Sequence, residues 1–368
     1  MKKIKIAVVH DDFIQLGGAE FLTFDTLKLL KNNGYEITVF SSIFSQFWKK
    51  KILKLGIEFE ESFLGKLPLV DKISKLFFYT NLFYLAFESF DFSDYDIVLS
   101  FSTRYAHCII TKPSSLHISY LHSPSKVLWE IKKYFFNQKF LYFISKNFLP
   151  NKRIIDFYSQ QRSDLVVANS KNISSKILKL YSRKSEVIYP FVKKRILTEN
   201  TKKEDFFVLI SRIIPWKRID YVIESFNQMD AKLVIIGRGD RKYLNYLKKI
   251  SKPNINFVGY VSENEKFEIL RKAHALIVPQ DEDFGLVTVE SLTLGTPVVY
   301  FNKGGTREII DSRFGVPVAD QLPDLLTKAI KDFKNINFNS EEIKNYSLKF
   351  SEETFFKQID ALIKSAKM

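Results

Sequence analysis

Short β-rich runs alternate with helix-length amphipathic segments along almost the whole chain, and that alternation restricts the fold to parallel-sheet α/β architectures. In the first half the runs are KIAVV (5–9), YEITVF (35–40), DIVLSF (96–101), LHISYL (116–121), LVVAN (165–169) and EVIYP (186–190). In the second half they are FFVLIS (206–211), AKLVIIG (231–237), NINFVG (254–259), ALIVP (275–279), TPVVYF (296–301) and FGVPV (314–318). Two sets of this size predict two doubly wound domains, which suits a chain of 368 residues. The polar stretch KKRILTENTKKED (193–205) reads as a linker between domains at 1–192 and 206–349. A final amphipathic helix, 350–368, follows, with Ser351 as its N-cap.

The formal net charge is +15, and residues 1–190 carry 27 Lys/Arg against 17 Asp/Glu, so most of the excess lies in the first half. A basic, aromatic half suits an anionic membrane, a phosphorylated substrate or nucleic acid, or simply a lysine-rich soluble surface. The lysines follow no nucleic-acid reader motif, so a nucleic-acid-binding protein is the weakest of these. A single cysteine, Cys108, excludes a disulfide framework and a multi-cysteine metal site, and fits a reducing cytosol. The N-terminus MKKIKIAVVH opens directly into a strand without a secretory signal. The longest apolar run, Leu76–Phe87, falls short of the roughly 20 residues a spanning helix needs. A cytoplasmic protein is expected. The segment 47–87, mixing lysines with aromatics, can either lie on the inner membrane leaflet or bury itself against the first sheet.

Chemistry concentrates where strands end, because ligands of open parallel sheets bind at the carboxyl ends. After the ALIVP strand comes DEDFGLVTVE, Asp281–Glu290, with carboxylates at Glu282 and Glu290 and a helix starting near Gly285–Leu286. That helix aims free N–H groups at an anion, whereas the two glutamates suit hydroxyls, so a phosphorylated polyol is the implied ligand. After strand 206–211, Arg212 and Lys217 are placed to clamp a diphosphate, and Arg218 is assigned to helix surface. After strand 5–9, the pair Gly17 and Gly18 lets a phosphate approach a helix N-terminus. Gly304, Gly305 and Thr306 repeat that arrangement, and VIIGRGD (234–240) reads as supporting wall. His122 ends a strand, in reach of a sugar hydroxyl or a leaving oxygen, while His10, His107, His117 and His274 read as structural. Asp281–Asp283 and Asp94–Asp96 match a DxD metal pattern that is cheap among 41 acidic residues, so no metal is expected.

Together, GGAE (17–20), Arg212 with Lys217, EDFGLVTVE (282–290), GTPVV and GGTRE resemble, in order, the motifs of the retaining glycosyltransferases of family four. The resemblance implies the GT-B fold, two Rossmann-like domains facing each other across a cleft, with the nucleotide held by the second and the acceptor by the first. It implies that Glu282 contacts the donor sugar and Glu290 the nucleotide ribose. The backbone N–H groups of Phe284, Gly285, Leu286 and Val287 would meet the sugar and distal phosphate. It also implies a C-terminal helix that crosses back to the first domain. Glu282 is not expected to be a nucleophile; a front-face path, with the leaving phosphate taking the acceptor's proton, asks less of the protein. Catalytic roles then fall to His122, Glu282, Arg212 and Lys217, with the nucleotide-diphosphate sugar as co-substrate and no cofactor.

YLHSPSKVLWE (120–130) with VIYPFV (187–192) is similar to a mannosyltransferase subgroup, from which it departs at Lys126, Val127 and Glu130. The expected reaction is hexosyl transfer, first from GDP-mannose, to a hydroxyl of a glycan or lipid-linked acceptor. A UDP-sugar donor and a GT-B sugar-nucleotide epimerase are the alternatives.

Overall fold

A computed structural model describes residues 3–67, 70, 80–131, 143, 147–193 and 202–365. The chain divides into two compact units, Met1–Pro190 with Phe355–Met368, and Phe191–Thr354. Most of the stretch read as a linker, and part of segment 47–87, lie outside the described residues.

The first unit is built on a seven-stranded parallel sheet in the order β3-β2-β1-β4-β5-β6-β7. The strands are β1 (Lys5–His10), β2 (Glu36–Ser41), β3 (Glu58–Glu61), β4 (Ile97–Ser102), β5 (Leu116–Leu121), β6 (Leu165–Ala168) and β7 (Glu186–Val187). β1 and β4 are buried almost throughout, which is why their sequences, KIAVVH and IVLSFS, are mostly apolar: helices cover both faces of such a sheet. β3, EFEE, has a single apolar residue among three glutamates and carries no strand-like run, so periodicity missed it; it forms because β2 offers a free edge. The EVIYP run contributes only the two residues of β7. Phe13, Phe44 and Trp48 pack ring against ring beside β1, and Phe40 meets Phe90, Phe92 and Tyr95, so many of the aromatics are core. The Glu352–Ser365 helix, capped by the Ser351 hydroxyl, ends this unit; its Phe355 ring meets Tyr120 and its Asp360 accepts from the Tyr35 hydroxyl.

The second unit has a six-stranded parallel sheet in the order β10-β9-β8-β11-β12-β13. These strands are β8 (Phe207–Ile210), β9 (Leu233–Ile236), β10 (Ile255–Gly259), β11 (Ala275–Val278), β12 (Val298–Phe301) and β13 (Gly315–Val318). In each sheet the order reverses once, between β1 and β4 in the first and between β8 and β11 in the second. Loops leaving strands on either side of such a reversal splay apart and leave room for a ligand.

Candidate functional site

In the second unit the loops after β8 and β11 flank the reversal, and they carry the predicted Arg212, Lys217 and Glu282. The exit from β11 is anchored at Pro279, whose carbonyl accepts from the Tyr221 hydroxyl at 3.0 Å and from Gln321 Nε2 at 2.7 Å. Beyond it, Glu282 is held at both its backbone and its side chain. Its carbonyl accepts from Gly305 N–H at 2.7 Å, and its backbone bridges Gly304. Gly304 has φ +70°, and a Cβ there would collide with Asp281 and with the backbone of Glu282, so glycine is required for this approach. Glu282 Oε1 accepts from Lys217 Nζ at 2.7 Å and from the Gln280 amide.

Gly285 then turns the chain at φ +107° into the Leu286–Thr293 helix, which starts without a side-chain cap. The first intrahelical bonds to the Gly285 carbonyl come from Thr288 and Val289, so Leu286 and Val287 stand in the turn whose N–H groups a helix cannot satisfy itself. The buried hydroxyls of Thr288 and Thr306 flank Gly285, 3.2 and 3.0 Å from where its Cβ would be, and neither has a hydrogen-bond partner among the described residues. Gly285, Leu286 and Val287 thus sit where the sequence placed them.

Arg212 and Lys217 have different surroundings. Lys217 closes a 3-10 turn, Pro215–Lys217, and turns its ammonium to Glu282. Arg212 is exposed and makes no side-chain hydrogen bond or ion pair among the described residues. The glycines of the VIIGRGD turn let it pack tightly beneath this loop: Ile213 donates to the Arg238 carbonyl at 3.1 Å and bridges Gly239. Arg218 is not helix surface. It takes φ +50° before the Ile219–Phe226 helix and donates to Gln321 at 3.2 Å, because the tight turn leaves it no helical conformation.

Glu290, in the second turn of the Leu286–Thr293 helix, accepts from Lys266 Nζ at 2.9 Å. Lys266 lies on the Glu263–Lys272 helix and also meets Glu263 at 3.0 Å. Nothing in the local sequence pointed to Lys266, because it stands 24 residues before Glu290 and only the packing of two helices joins them.

The first unit has its own polar centre at the β1/β4 reversal, which sequence reading missed. Asp11, 3% exposed, accepts from Thr103 N–H and hydroxyl at 2.6 Å, Arg104 N–H at 3.0 Å, Tyr105 N–H at 2.6 Å and Ala106 N–H at 2.7 Å. Burial alone would raise its pKa, but Arg104, His10 and the bonds from Thr103 and Tyr105 outweigh it and hold the carboxyl below its usual range. Asp12 beside it pairs with Arg104. Gly17 is the N-cap of the Gly18–Asn32 helix, and the Glu20 carboxylate folds back over it. Burial raises the Glu20 pKa. A carboxylate therefore shares the helix N-terminus that the sequence offered to phosphate. His122 is half-buried; its N–H donates to the Ser102 carbonyl at 2.9 Å, and its own carbonyl accepts from Asn169 at 2.9 Å.

Three other histidines are structural. His10 Nδ1 lies 3.0 Å from the Phe101 carbonyl, and His117 Nε2 lies 2.9 Å from the Ser100 hydroxyl. His107 lies between the Ser102 hydroxyl, 2.9 Å away, and the buried Asp156, 3.2 Å away. Asp156 also accepts from Trp129 and Tyr181, both at 2.8 Å.

Residues 193–350 match the protein family described as glycosyl transferases group 1. Over 208 residues the chain is 30% identical to uncharacterized glycosyltransferase MJ1178 of Methanocaldococcus jannaschii, covering 53% of this chain and 58% of that protein. The match thus spans little more than half of that relative. It is 25% identical to the alpha-1,3/1,6-mannosyltransferase ALG2 of Saccharomyces cerevisiae, over 84% of this chain and 72% of ALG2. Among solved structures, Anabaena Alr3699/HepE in complex with UDP superposes with a TM-score of 0.70 at 17% identity, covering 98% of this chain and all of that one. The chain has the GT-B fold.

Proposed function

We propose that this GT-B chain is a retaining, metal-independent hexosyltransferase. It moves a hexose from a nucleotide-diphosphate sugar to a hydroxyl of a glycan or lipid-linked acceptor. The observation that carries this reading is the meeting of Lys217 with Glu282 beside the uncapped Leu286–Thr293 helix. A cation, a carboxylate able to accept from hydroxyls and free N–H groups together suit a sugar joined to a phosphate.

In the reaction, the bond between the anomeric carbon and the distal phosphate oxygen breaks, and a bond from that carbon to the acceptor oxygen forms. The acceptor's proton passes to the departing phosphate. Lys217, Arg212 and the N–H groups of Leu286 and Val287 stabilise the charge developing on the diphosphate. Glu282 orients the sugar, Glu290 binds the ribose, Gly17 and Gly18 approach a phosphate, and His122 binds a hydroxyl at the reacting centre.

Mannose from GDP-mannose is the first choice, supported by the mannosyltransferase names among the relatives. A UDP-sugar is the alternative, supported by the UDP and UDP-glucose bound to the Anabaena neighbour and by the departures at Lys126, Val127 and Glu130. Calorimetric titration with GDP-mannose, UDP-glucose and ADP-glucose decides the donor, and no binding of any would remove the proposal. Product NMR decides stereochemistry, and an inverted anomer would rule out retention.

No helix among the described residues is long and apolar enough to cross a membrane. The Gln46–Lys54 helix exposes Phe47 and Leu53 beside Lys50 and Lys54, which supports peripheral docking on an anionic surface at the cytoplasmic face. Failure to sediment with phosphatidylglycerol vesicles at low salt would remove this part.

A further inference from the structure

We infer that Lys266 is the positioning residue that gives the nucleotide site its preference for a ribose diol, acting through Glu290. The inference rests on the nucleotide-sugar reading of the second unit and adds to it a residue and a measurable selectivity.

The Glu290 side chain is only 15% exposed and that of Lys266 only 13%, so each would be costly to leave as a lone charge there. Their contact, Nζ to Oε1 at 2.9 Å, is therefore not an ordinary surface pair of little consequence. The other partner of Lys266, Glu263, is 53% exposed and one helical turn away, so it steadies the ammonium from the solvent side. The Lys266 ammonium also lies 4.8 Å from the Phe267 ring centre. A carboxylate has about four lone-pair sites, so Glu290 can keep Lys266 on Oε1 and still accept from two vicinal hydroxyls. Lys266 fixes the plane of that carboxylate. That orientation is needed to read a diol, because a rotated carboxylate loses the matched pair of acceptors.

The test compares the affinities of ribonucleoside, 2′-deoxyribonucleoside and 3′-deoxyribonucleoside diphosphates for the full chain, with guanine and uracil bases, by calorimetry. The unaltered protein is expected to prefer the ribonucleotide at least tenfold. Lys266→Met is expected to reduce that preference to within about twofold, and Lys266→Arg to restore most of it. A merely structural role would lower all three affinities together and leave their ratios unchanged, so partial misfolding does not imitate the effect. The inference is overturned if Lys266→Met keeps the full preference, or if the unaltered chain binds nucleotides without preferring ribose. Absence of any nucleotide binding overturns the nucleotide-sugar reading as well, which separates the two failures.

Discussion

Lys217 Nζ lies 2.7 Å from Glu282 Oε1, joining the loops after β8 and β11 across the reversal of the second sheet. The side chains are 14% and 25% exposed, so water screens the pair only in part. A residue expected to bind phosphate is therefore held by one expected to bind sugar.

Lys217→Ala should lower turnover by about 10²- to 10³-fold, the usual effect of removing one group that stabilises charge in the transition state. Glu282→Ala should also lose most activity. Because the two residues touch, the double variant should be less impaired than the product of the single effects, with a coupling of about 0.5–3 kcal/mol. Steady-state kinetics on all four proteins measures this, and a Glu282→Ala enzyme with unaltered turnover would refute its role.

Gly304→Ala should deform the site. Its φ of +70° disfavours any side chain, and the new Cβ meets Asp281 and the Glu282 backbone. The expected cost is about 1–3 kcal/mol, read as a lower Tm in thermal unfolding together with weaker nucleotide-sugar binding. Gly34→Ala is the control: its φ is +88°, but nothing lies within 4 Å of the Cβ position, so strain without collision should spare binding.

Asp11→Asn should destabilise the first unit by about 3 kcal/mol or more, since an amide cannot accept the full set of bonds the carboxylate takes. The lowered pKa of Asp11 also predicts a pH dependence. Its stabilisation is fully present above the unfolded carboxyl value near 3.9 and is lost as pH falls through the lower folded value. Denaturant unfolding between pH 2 and about 5 should show a slope that the Asn variant lacks.

His107 predicts the opposite slope. Burial alone would lower its pKa, but Cys108 and the Asp156 carboxylate raise it well above the usual value. Its stabilisation is present below the unfolded value near 6.5 and is lost as pH rises through the folded value. Asp156→Asn should flatten that alkaline decline and cost about 3–5 kcal/mol, the usual effect of breaking a buried ion pair.

Much of this fold was legible because its causes are local. Central strands of a doubly covered sheet must be apolar on both faces, so β1, β4, β11 and β12 announce themselves. The edge strand β3 did not, since pairing with β2 rather than its own residues makes it a strand. The positions of Glu282, Gly285 and Glu290 were legible because one loop and the short helix after it carry all three. Lys266 and Asp11 were not, because their partners come from packing.

Periodicity and the chemistry of strand-end loops are short-range properties, and they were enough to assign two α/β sheets and the loops that carry candidate ligands' partners. Which charges meet is a long-range property. The sheet order placed Lys217 against Glu282 although 65 residues separate them, and helix packing placed Lys266 against Glu290. The same packing drew Asp11 under the loop after β4, 92 residues away. Coulomb and hydrogen-bond energies depend on distance in space, so these pairings arise only when the chain has folded.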